Sequence, residues 1–347
     1  MSQQDINALS GFTDLIMEQK FRDLINNLSA DLKKIDEIIL SFAQGKSPLI
    51  QEISHHLINS GGKRIRPILL ILAARLCGTK SGHNHHNLAA AVELIHSATL
   101  LHDDVVDASQ IRRGKKTANA IWDNKASILV GDYLFSVSFQ LMVLTKSLAA
   151  LDLLSKASSI MADGEVMQLQ NSNDIALSYE KYLEIIFGKT AVLFSAACEV
   201  GALINVTSDA EIKALREFGK NLGIIFQIVD DMLDYSAQEE VLGKDVGNDF
   251  FEGKVTLPII LTYQKAEELD QKFIAETFEK NFMTPNKNQD DFKKILELIK
   301  KYKGLEASRG MALQRQDMAI NNLELFPDSK TKQDLILILE YSLARIF

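Results

Sequence analysis

Leu100-Leu101-His102-Asp103-Asp104-Val105-Val106-Asp107 contains an Asp-Asp-x-x-Asp pattern that returns in Asp230-Asp231-Met232-Leu233-Asp234. Both copies lie in apolar sequence with a helical repeat. On a helix, the first and last aspartates of each copy are four residues apart and therefore share one face. Carboxylates this close in apolar surroundings repel one another, and they need a cation or hydrogen-bond donors to offset the lost hydration. The pattern therefore predicts two helices whose acidic ends bind metal ions.

Mg²⁺ suits these aspartates, because it typically binds one or two carboxylates and completes its coordination with water and phosphate oxygens. Two such motifs facing one cavity would hold a cluster of cations around a diphosphate group. A single acidic triplet is more often a solvated helix face. The repetition of the motif and its apolar flanks make that alternative much weaker here. We therefore predict a magnesium-dependent site for a diphosphate.

Apolar residues recur with the helical period along almost the whole chain. Between positions 14 and 42 they fall at i, i+3, i+4 and i+7, which predicts one amphipathic helix that stops at Gly45. The segments 87–107 and 209–235 are apolar on more than one side, which is typical of the central helices of a bundle. Further helices are predicted from Pro67 to Gly78 and at residues 125–146, 151–170, 179–205, 257–269, 289–301, 305–325 and 329–346.

The segments between these helices indicate how many domains the chain forms. Strand-like alternation is nearly absent, the chain has 5 prolines, and no linker rich in Pro, Gly or Ser divides it. Although the length alone would suggest about two domains, this is a soft guide. We predict an all-α fold in one domain that spans residues 1–347.

Composition excludes several classes of protein. With 46% hydrophobic and 24% charged residues, the chain is ordinary for a soluble globular protein, and its net charge of −8 argues against binding to nucleic acid. No run of about 18 apolar residues predicts a transmembrane helix, and the N-terminal sequence lacks the features of a signal peptide. Cys77 and Cys198 lie in apolar helical sequence and indicate buried thiols in a reducing compartment. We therefore expect a cytoplasmic protein.

Basic residues gather on either side of the first acidic motif. Residues 61–67 read Gly-Gly-Lys-Arg-Ile-Arg-Pro, and the proline places this cluster at a helix N-terminus, where free N–H groups favour phosphate. Residues 111–116 read Ile-Arg-Arg-Gly-Lys-Lys, and arginine forks bind phosphate oxygens in pairs. Ordinary surface charge explains the first stretch about as well when it is taken alone. Together with the acidic motifs, the two stretches indicate phosphates bound both directly and through metal.

Other polar residues are weaker candidates. Lys189 lies in apolar helical sequence and needs an anionic partner, while Lys244 and Lys254 flank the loop that follows the second acidic motif. His96 lies two turns before the first motif on nearly the same helical face, although a lone buried histidine is usually structural. Residues 83–86, His-Asn-His-His, are typical of an exposed loop, and a metal site there is a minor alternative.

These motifs, in this order, resemble those of the trans-isoprenyl (polyprenyl) diphosphate synthase family. The resemblance runs from residues 61–67, through both acidic motifs and Arg112-Arg113-Gly114, to Tyr341-Ser342-Leu343-Ala344-Arg345. Within the family the chain is most similar to the long-chain synthases that make quinone side chains, such as octaprenyl diphosphate synthase. The resemblance implies the isoprenoid synthase fold, a bundle of antiparallel helices around a central cavity. It also implies sequential head-to-tail condensation of isopentenyl diphosphate onto an allylic diphosphate, with farnesyl diphosphate as the primer.

The resemblance implies a role for each candidate residue, with the main catalytic roles on Asp103, Asp107, Lys189, Asp230 and Lys244. The residues implied to hold the diphosphate of isopentenyl diphosphate are Lys63, Arg66, His96 and Arg113. Those implied to bind three Mg²⁺ ions are Asp103, Asp107 and Asp230, with support from Asp104, Asp231 and Asp234. Those implied to contact the allylic diphosphate or its metals are Arg112, Lys189, Thr190, Gln227, Lys244 and Lys254.

Small residues about one turn before the first acidic motif bear on product length. Ala98 and Thr99 leave a path open for a growing apolar tail, whereas an aromatic residue blocks it in the resembling short-chain enzymes. We therefore predict a product longer than C20. Phe139 is the candidate floor of the cavity by resemblance, and ordinary core packing explains it at least as well.

The resemblance further implies a homodimer whose apolar product is delivered to a membrane, with the enzyme peripheral to the inner membrane. A shorter-chain, geranylgeranyl-type synthase is the main alternative. A terpene cyclase shares the all-α architecture and the first acidic motif, but it needs no cations for isopentenyl diphosphate. A squalene-type synthase is disfavoured by residues 61–67. A non-catalytic partner subunit would have lost Asp or Lys at the motifs, and none is missing here.

Overall fold

The computed structural model describes residues 3–79, 84–205, 207–236, 247–283 and 288–345. This part of the chain is helical apart from its turns and one antiparallel hairpin, in which β1 (Ile111–Arg112) pairs with β2 (Lys115–Lys116). The helices are α1 (Gln3–Asn27), α2 (Ser29–Phe42), α3 (Pro48–Asn59), α4 (Ile65–Leu76), α5 (Asn84–Val106), α6 (Ala118–Ile121), α7 (Asn124–Leu144), α8 (Leu148–Gln170), α9 (Tyr179–Ile186), α10 (Val192–Leu203), α11 (Asp209–Leu233), α12 (Asn248–Phe251), α13 (Leu257–Lys265), α14 (Glu268–Met283), α15 (Gln289–Lys301), α16 (Gly304–Asn322) and α17 (Lys330–Ala344). The predicted all-α class is confirmed.

The chain folds into two compact units. The first unit comprises Met1–Ser158, Leu193–Gly219 and Ile320–Tyr341. The second unit comprises Ser159–Val192, Lys220–Ala319 and Ser342–Phe347. The first acidic motif belongs to the first unit, and the second acidic motif belongs to the second.

Helix α5 is the central helix of the first unit, because it contacts α2, α4 and α7. Leu88, Leu94 and Ile95 are at most 1% exposed, and burial of each such side chain contributes roughly 1.5–3 kcal/mol. The intervening residues 89–91 are alanines with no exposed surface, which allows neighbouring helices to pack closely. This burial on all sides holds the first acidic motif, at the end of α5, in a fixed place.

The predicted single helix over residues 14–42 is wrong in one detail, because the chain bends at Leu28. Its backbone dihedrals are φ −98° and ψ 5°, between the end of α1 and the start of α2. The Leu28 N–H still donates to the Leu24 carbonyl at 3.1 Å, and the Leu32 N–H donates to the Leu28 carbonyl at 2.9 Å. The helical ladder therefore continues across a kink, which the apolar periodicity alone does not reveal.

The second unit is organised around the C-terminal half of α11 and a cluster of aromatic rings. Ile225, Ile228 and Val229 on α11 are fully buried. The ring of Phe250 lies 5.5 Å from that of Phe278 and 5.4 Å from that of Phe292, centroid to centroid. These aromatic contacts hold α12, the next described helix after the second acidic motif, at a spacing typical of favourable ring pairs.

The predicted helix over residues 179–205 is interrupted by one π-helical turn at Phe187–Ala191. A Cβ atom built on Gly188 would lie 2.9 Å from the Cα atom of Gly164, so the two backbones touch. Single π-helical turns inside α-helices are frequent at functional sites. Here the turn contains Lys189 and Thr190, both of which are predicted site residues.

Two helical segments are long and apolar enough to cross a membrane by length and composition, namely Asn124–Leu144 and Tyr179–Leu203. In the second segment, 83% of the apolar window is buried within the protein, as in the core helices of globular proteins. In the first segment the buried share is 44%. The absence of a membrane-spanning helix therefore stays a prediction from the sequence.

Candidate active site

The first acidic motif lies at the C-terminal end of α5. Asp104 is more deeply buried there than the other two aspartates of the motif. Asp104 is 2% exposed, and the Arg112 Nε atom donates to its Oδ1 atom at 2.8 Å. Burial raises the pKa of Asp104, and the charge of Arg112 opposes this rise. Asp103 and Asp107 are half-buried instead. The arginine therefore holds Asp104 inside the protein, while Asp103 and Asp107 lie one helical turn apart.

The hairpin β1–β2 brings the second basic stretch back towards the first. Arg113 and Gly114 both have positive φ angles, 53° and 72°, as a tight two-residue hairpin turn requires. The Arg113 guanidinium donates to the Gly61 carbonyl. A Cβ atom at Gly62 would lie 2.7 Å from the Arg113 Nη1 atom, so a side chain at position 62 would displace this arginine. The two basic stretches therefore form one cluster.

Part of this cluster lines a pocket beside the first acidic motif, although Lys63 and Arg66 are not among the lining residues. Its walls include Asp104, His96 and both arginines of the hairpin, Arg112 and Arg113. Arg64 of the first basic stretch also lines it, together with His56 and Glu93, which no sequence motif indicates. The His56 Nε2 atom lies 2.9 Å from the Lys116 carbonyl oxygen, which ties α3 to the hairpin.

Arg66 and His96 are the residues of this cluster whose electrostatics burial changes most. Burial lowers the pKa of Arg66 to about 10, so it stays charged at neutral pH. The guanidinium lies 4.5 Å from the ring centroid of Phe194. Burial, and then the charges of Arg66 and Arg113, hold the pKa of His96 well below its usual range. A neutral imidazole therefore lies among arginine cations.

Lys63 contacts the C-terminal part of the first unit in this structure. It is exposed, and its Nζ atom lies 4.4 Å from the ring centroid of Tyr341, in the C-terminal part of the first unit. Tyr341 in turn donates to Glu18 at 2.8 Å. The lysine is thus held by a cation–π contact at the C-terminal segment, a connection that no local sequence pattern indicates.

The second acidic motif is bound by a different set of donors. Asp231 is 2% exposed and accepts from the Tyr182 hydroxyl at 2.6 Å and from the Gln227 amide at 2.8 Å. The Asp234 carboxylate accepts from the backbone N–H groups of Asn248 at 3.1 Å and Asp249 at 2.9 Å. Both aspartates are therefore held in place by hydrogen bonds, as supporting residues are.

Carboxyl groups crowd this part of the second unit. Burial, reinforced by the charge of Asp249, raises the pKa of Asp231 well above its usual range and that of Asp234 to about 8. Burial also raises the pKa of Asp249 to about 6, although Lys254 opposes this rise. A bound cation reverses such shifts, because it favours the ionised carboxylate. These oxygen-rich groups therefore fit a hard divalent cation such as Mg²⁺.

Further predicted residues of the second unit form one chain of hydrogen bonds and two ion pairs. The Thr190 hydroxyl donates to the Gln227 side-chain carbonyl at 2.7 Å, and this continues the network that holds Asp231. The Lys189 Nζ atom lies 3.3 Å from the Glu165 carboxylate, the anionic partner that its apolar surroundings demand. Lys254 forms an ion pair of 2.5 Å with Glu252.

Asp230 and Lys244 complete the predicted residues of the second unit. The Arg345 Nη2 atom lies 3.4 Å from the Asp230 Oδ1 atom, and the same guanidinium lies 4.9 Å from the Phe226 ring centroid. A cation from the C-terminal segment therefore neighbours Asp230. Lys244 lies outside the described residues.

Comparison with known proteins decides the family. Residues 47–299 match the family model of Polyprenyl synthetase. The chain belongs to the polyprenyl synthetase family. This membership confirms the predicted family and the predicted enzyme class, a prenyltransferase.

Individual family members match along nearly their whole length. The octaprenyl diphosphate synthase of Haemophilus influenzae is 39% identical over 315 residues, which make up 91% of this chain and 94% of that protein. A crystal structure of a decaprenyl diphosphate synthase from Rhodobacter capsulatus has a TM-score of 0.89 at 42% identity and covers 94% of this chain and 99% of its own. A polyprenyl synthase from Caulobacter crescentus, complexed with calcium and isoprenyl diphosphate, has a TM-score of 0.88 at 41% identity and covers 93% of this chain and 97% of its own.

The residues that the sequence predicts to bear on product length lie on α5 and α7. Ala98 is 1% exposed on α5, and the Thr99 hydroxyl donates to the His96 carbonyl at 2.8 Å. Phe139 is half-buried on α7, which contacts α5, and its ring lies 5.2 Å from that of Phe135. Both residues before the motif are thus small, and the aromatic pair lies on a neighbouring helix of the same unit.

A third group of polar side chains joins α2, α4 and α5 in the first unit. Asp31, His85 and His86 lie close enough together to hold a metal ion. Both carboxylate oxygens of Asp31 are already engaged, Oδ1 with His86 at 3.0 Å and Oδ2 with Arg75 at 2.5 Å. His86 and Arg75 therefore already contact the carboxylate that a metal ion would need, and the alternative of a metal site at residues 83–86 stays a prediction, with His83 outside the described residues.

Proposed function

We propose that this prenyltransferase is a long-chain trans-polyprenyl diphosphate synthase. It adds isopentenyl diphosphate head to tail onto an allylic diphosphate, with farnesyl diphosphate as the primer and octaprenyl diphosphate as the product, for quinone side chains. The observation that carries the proposal is the basic pocket beside the first acidic motif. A metal-bound phosphate and a directly bound phosphate need such neighbouring acidic and basic groups.

The diphosphate of isopentenyl diphosphate binds to Lys63, Arg66, His96 and Arg113. Among the described residues, the Nε atom of Arg66 is a buried donor with no hydrogen-bond acceptor. A buried donor of this kind costs free energy until an acceptor binds, and a phosphate oxygen would satisfy it. Neutral His96 adds a donor without adding another positive charge to a crowded site. This subsite holds the attacking double bond close to the allylic carbon.

Three Mg²⁺ ions would be held by Asp103, Asp107 and Asp230. When bound, they supply charge stabilisation for the departing diphosphate. Asp104, Asp231 and Asp234 support these carboxylates, because their own hydrogen bonds hold the motif segments that carry them. The allylic diphosphate contacts Arg112, Lys189, Thr190, Gln227, Lys244 and Lys254. These cationic and polar groups stabilise the negative charge that develops as the allylic carbon–oxygen bond breaks. The proton released after attack is taken by the diphosphate product.

Product length depends on the path beside α5. The small side chains of Ala98 and Thr99 leave room for a tail longer than C20, and Phe139 ends the path. A geranylgeranyl-type synthase would need a bulkier group near Ala98. The octaprenyl length rests on similarity to the Haemophilus influenzae enzyme, because the small side chains at positions 98 and 99 support only a lower limit.

The protein acts as a homodimer with one catalytic domain per chain, located in the cytoplasm at the periphery of the inner membrane. The support for dimerisation is a set of exposed apolar side chains on α7 and at the start of α8 in the first unit, because exposed apolar surface is typical of protein interfaces. These are Leu129, Val143, Leu144 and Leu148, with exposed fractions between 54% and 81%. Sedimentation equilibrium of the purified chain tests the assembly, and a monomer at micromolar concentration would contradict it.

The reaction is tested by incubating the purified protein with farnesyl diphosphate, Mg²⁺ and either isopentenyl diphosphate or buffer. We expect diphosphate release only when isopentenyl diphosphate is present. Release without it would instead indicate a terpene cyclase. No turnover by the protein alone would indicate a non-catalytic partner subunit.

A further inference from the structure

Arg64 and Glu93 form a largely buried ion pair beneath the first basic stretch. The Arg64 Nη1 atom lies 2.5 Å from the Glu93 Oε1 atom, and the Nη2 atom lies 3.3 Å from Asp36 on α2. The side chains of Arg64 and Glu93 are 16% and 9% exposed. Both terminal nitrogens of this arginine therefore already contact carboxylates of the protein.

The backbone of Arg64 is held in a conformation that a non-glycine residue seldom adopts. Its φ and ψ angles are 50° and 33°, in the left-handed region, and it is the residue directly before α4. This conformation costs free energy for an L-residue and persists only where the surroundings enforce it. The bend lies between Lys63 and Arg66, so it sets the directions in which these two predicted ligands extend. The ion pair with Glu93 supplies the constraint.

Glu93 also balances charge in the same cluster. It lies three residues before His96 on α5, about one helical turn away. Its charge favours the cationic forms of Arg64, Arg66 and Arg113, whereas the charge of Arg113 raises the cost of keeping Arg66 charged. A carboxylate in this place lets several cations stay close together before any anion binds.

We propose that Arg64 and Glu93 are a positioning pair that shapes the diphosphate subsite for isopentenyl diphosphate, and that Arg64 is not itself a ligand of the diphosphate. If Arg64 turned to a phosphate, it would leave the Glu93 carboxylate buried without its partner, which is strongly unfavourable. The pair instead fixes the left-handed turn and thereby the approach of Lys63 and Arg66. The inference rests on the proposed function, because it assumes that this cluster binds isopentenyl diphosphate.

A double-mutant cycle tests the positioning role. Arg64→Met and Glu93→Gln should each raise the KM for isopentenyl diphosphate about tenfold or more, which corresponds to at least 1.4 kcal/mol. The KM for farnesyl diphosphate and kcat should stay within about threefold of the wild-type values. The variant that carries both substitutions should be no worse than the worse single variant, because the second change removes a partner that is already lost.

The cycle separates positioning from direct binding. If Arg64 were a ligand, Arg64→Met would cost the same factor in the Glu93→Gln background as in the wild type, and that additivity would overturn the proposal. An unchanged KM for isopentenyl diphosphate in folded single variants would also overturn it. If a single variant does not fold, Arg64→Lys decides, because it keeps the charge but loses the fork that spans two carboxylates. An unchanged KM in Arg64→Lys would then overturn the proposal.

A matched control lies at the other end of the same helix. Arg75 forms an ion pair of 2.5 Å with Asp31, and neither residue lines the pocket described here. Arg75→Met should leave the KM for isopentenyl diphosphate unchanged, so a rise equal to that of Arg64→Met would mean a general loss of stability and would overturn the positioning role. Arg66→Ala tests the underlying site. If it leaves this KM unchanged, the proposed subsite fails, and the pair has no substrate to position.

Discussion

Replacing Tyr182 by phenylalanine removes one hydroxyl group from the second acidic motif. That hydroxyl donates to the Asp231 carboxylate over 2.6 Å, and both residues are buried. A buried acceptor that loses its donor costs about 1–3 kcal/mol. We therefore expect the free energy of unfolding of Tyr182→Phe, measured in urea without metal, to fall by about 2 kcal/mol. The denaturation midpoint should shift while the slope with urea stays the same.

The same substitution should weaken Mg²⁺ binding. The hydrogen bond from Tyr182 lowers the pKa of Asp231 against the opposing effect of burial. Without the hydroxyl, Asp231 binds its proton more tightly, and a metal must displace that proton. The Mg²⁺ concentration that gives half-maximal activity should therefore rise.

Tyr302→Phe provides the control, because its hydroxyl donates to Asp270 at 2.7 Å and accepts from the exposed Glu267 N–H at 3.1 Å within the same unit. The Asp270 side chain is 22% exposed and also contacts Lys301 at 2.7 Å, so water and the lysine compensate for the lost donor. We expect a smaller loss of stability than in Tyr182→Phe. Equal losses in the two variants, or a larger one in Tyr302→Phe, would refute the reasoning that burial makes the Tyr182 bond important.

Ala98→Phe places a large ring at a position that is 1% exposed, so the products should end at about C20 or below. Reversed-phase chromatography of the dephosphorylated products measures their length. An unchanged product length would rule out a gate at this position. His96 should make the protein less stable in acid. Because its pKa is held below the usual 6.5, the unfolded chain binds a proton that the folded protein does not, and the free energy of unfolding falls by up to about 1.4 kcal/mol per pH unit as the pH drops below about 6.5. His96→Gln should lose this part of the pH dependence in urea titrations between pH 7.5 and 5.5, and identical slopes in the two proteins would contradict a buried neutral imidazole.

The helices and the acidic motifs could be predicted from the sequence because they follow local patterns. Apolar periodicity locates α5 and α11, and the spacing of the aspartates places each motif on one helical face. The kink at Leu28 and the π-helical turn could not be predicted in this way. The apolar period continues unbroken through Leu28, and the π-helical turn involves packing of Gly188 against Gly164, a residue distant in sequence.

The candidate site was predictable only in part for the same reason. The lysines, arginines and aspartates that carry charge stand out in the sequence. Their supporting partners do not, since Glu93 and Tyr182 occur in ordinary helical sequence and gain meaning only from contacts with Arg64 and Asp231. Asp249 is an intermediate case. It lies in the polar break after the second acidic motif, and an acidic residue just before two phenylalanines is the one local signal that marks it.

The product itself tests the central claim most directly. Purified protein, farnesyl diphosphate, excess isopentenyl diphosphate and Mg²⁺ should give a series of trans-polyprenyl diphosphates, and mass analysis of the dephosphorylated product should show C40 as the final species. A final product of C20 or shorter would contradict the long-chain assignment. A cyclised hydrocarbon formed from farnesyl diphosphate alone would contradict the assignment as a chain-elongating synthase.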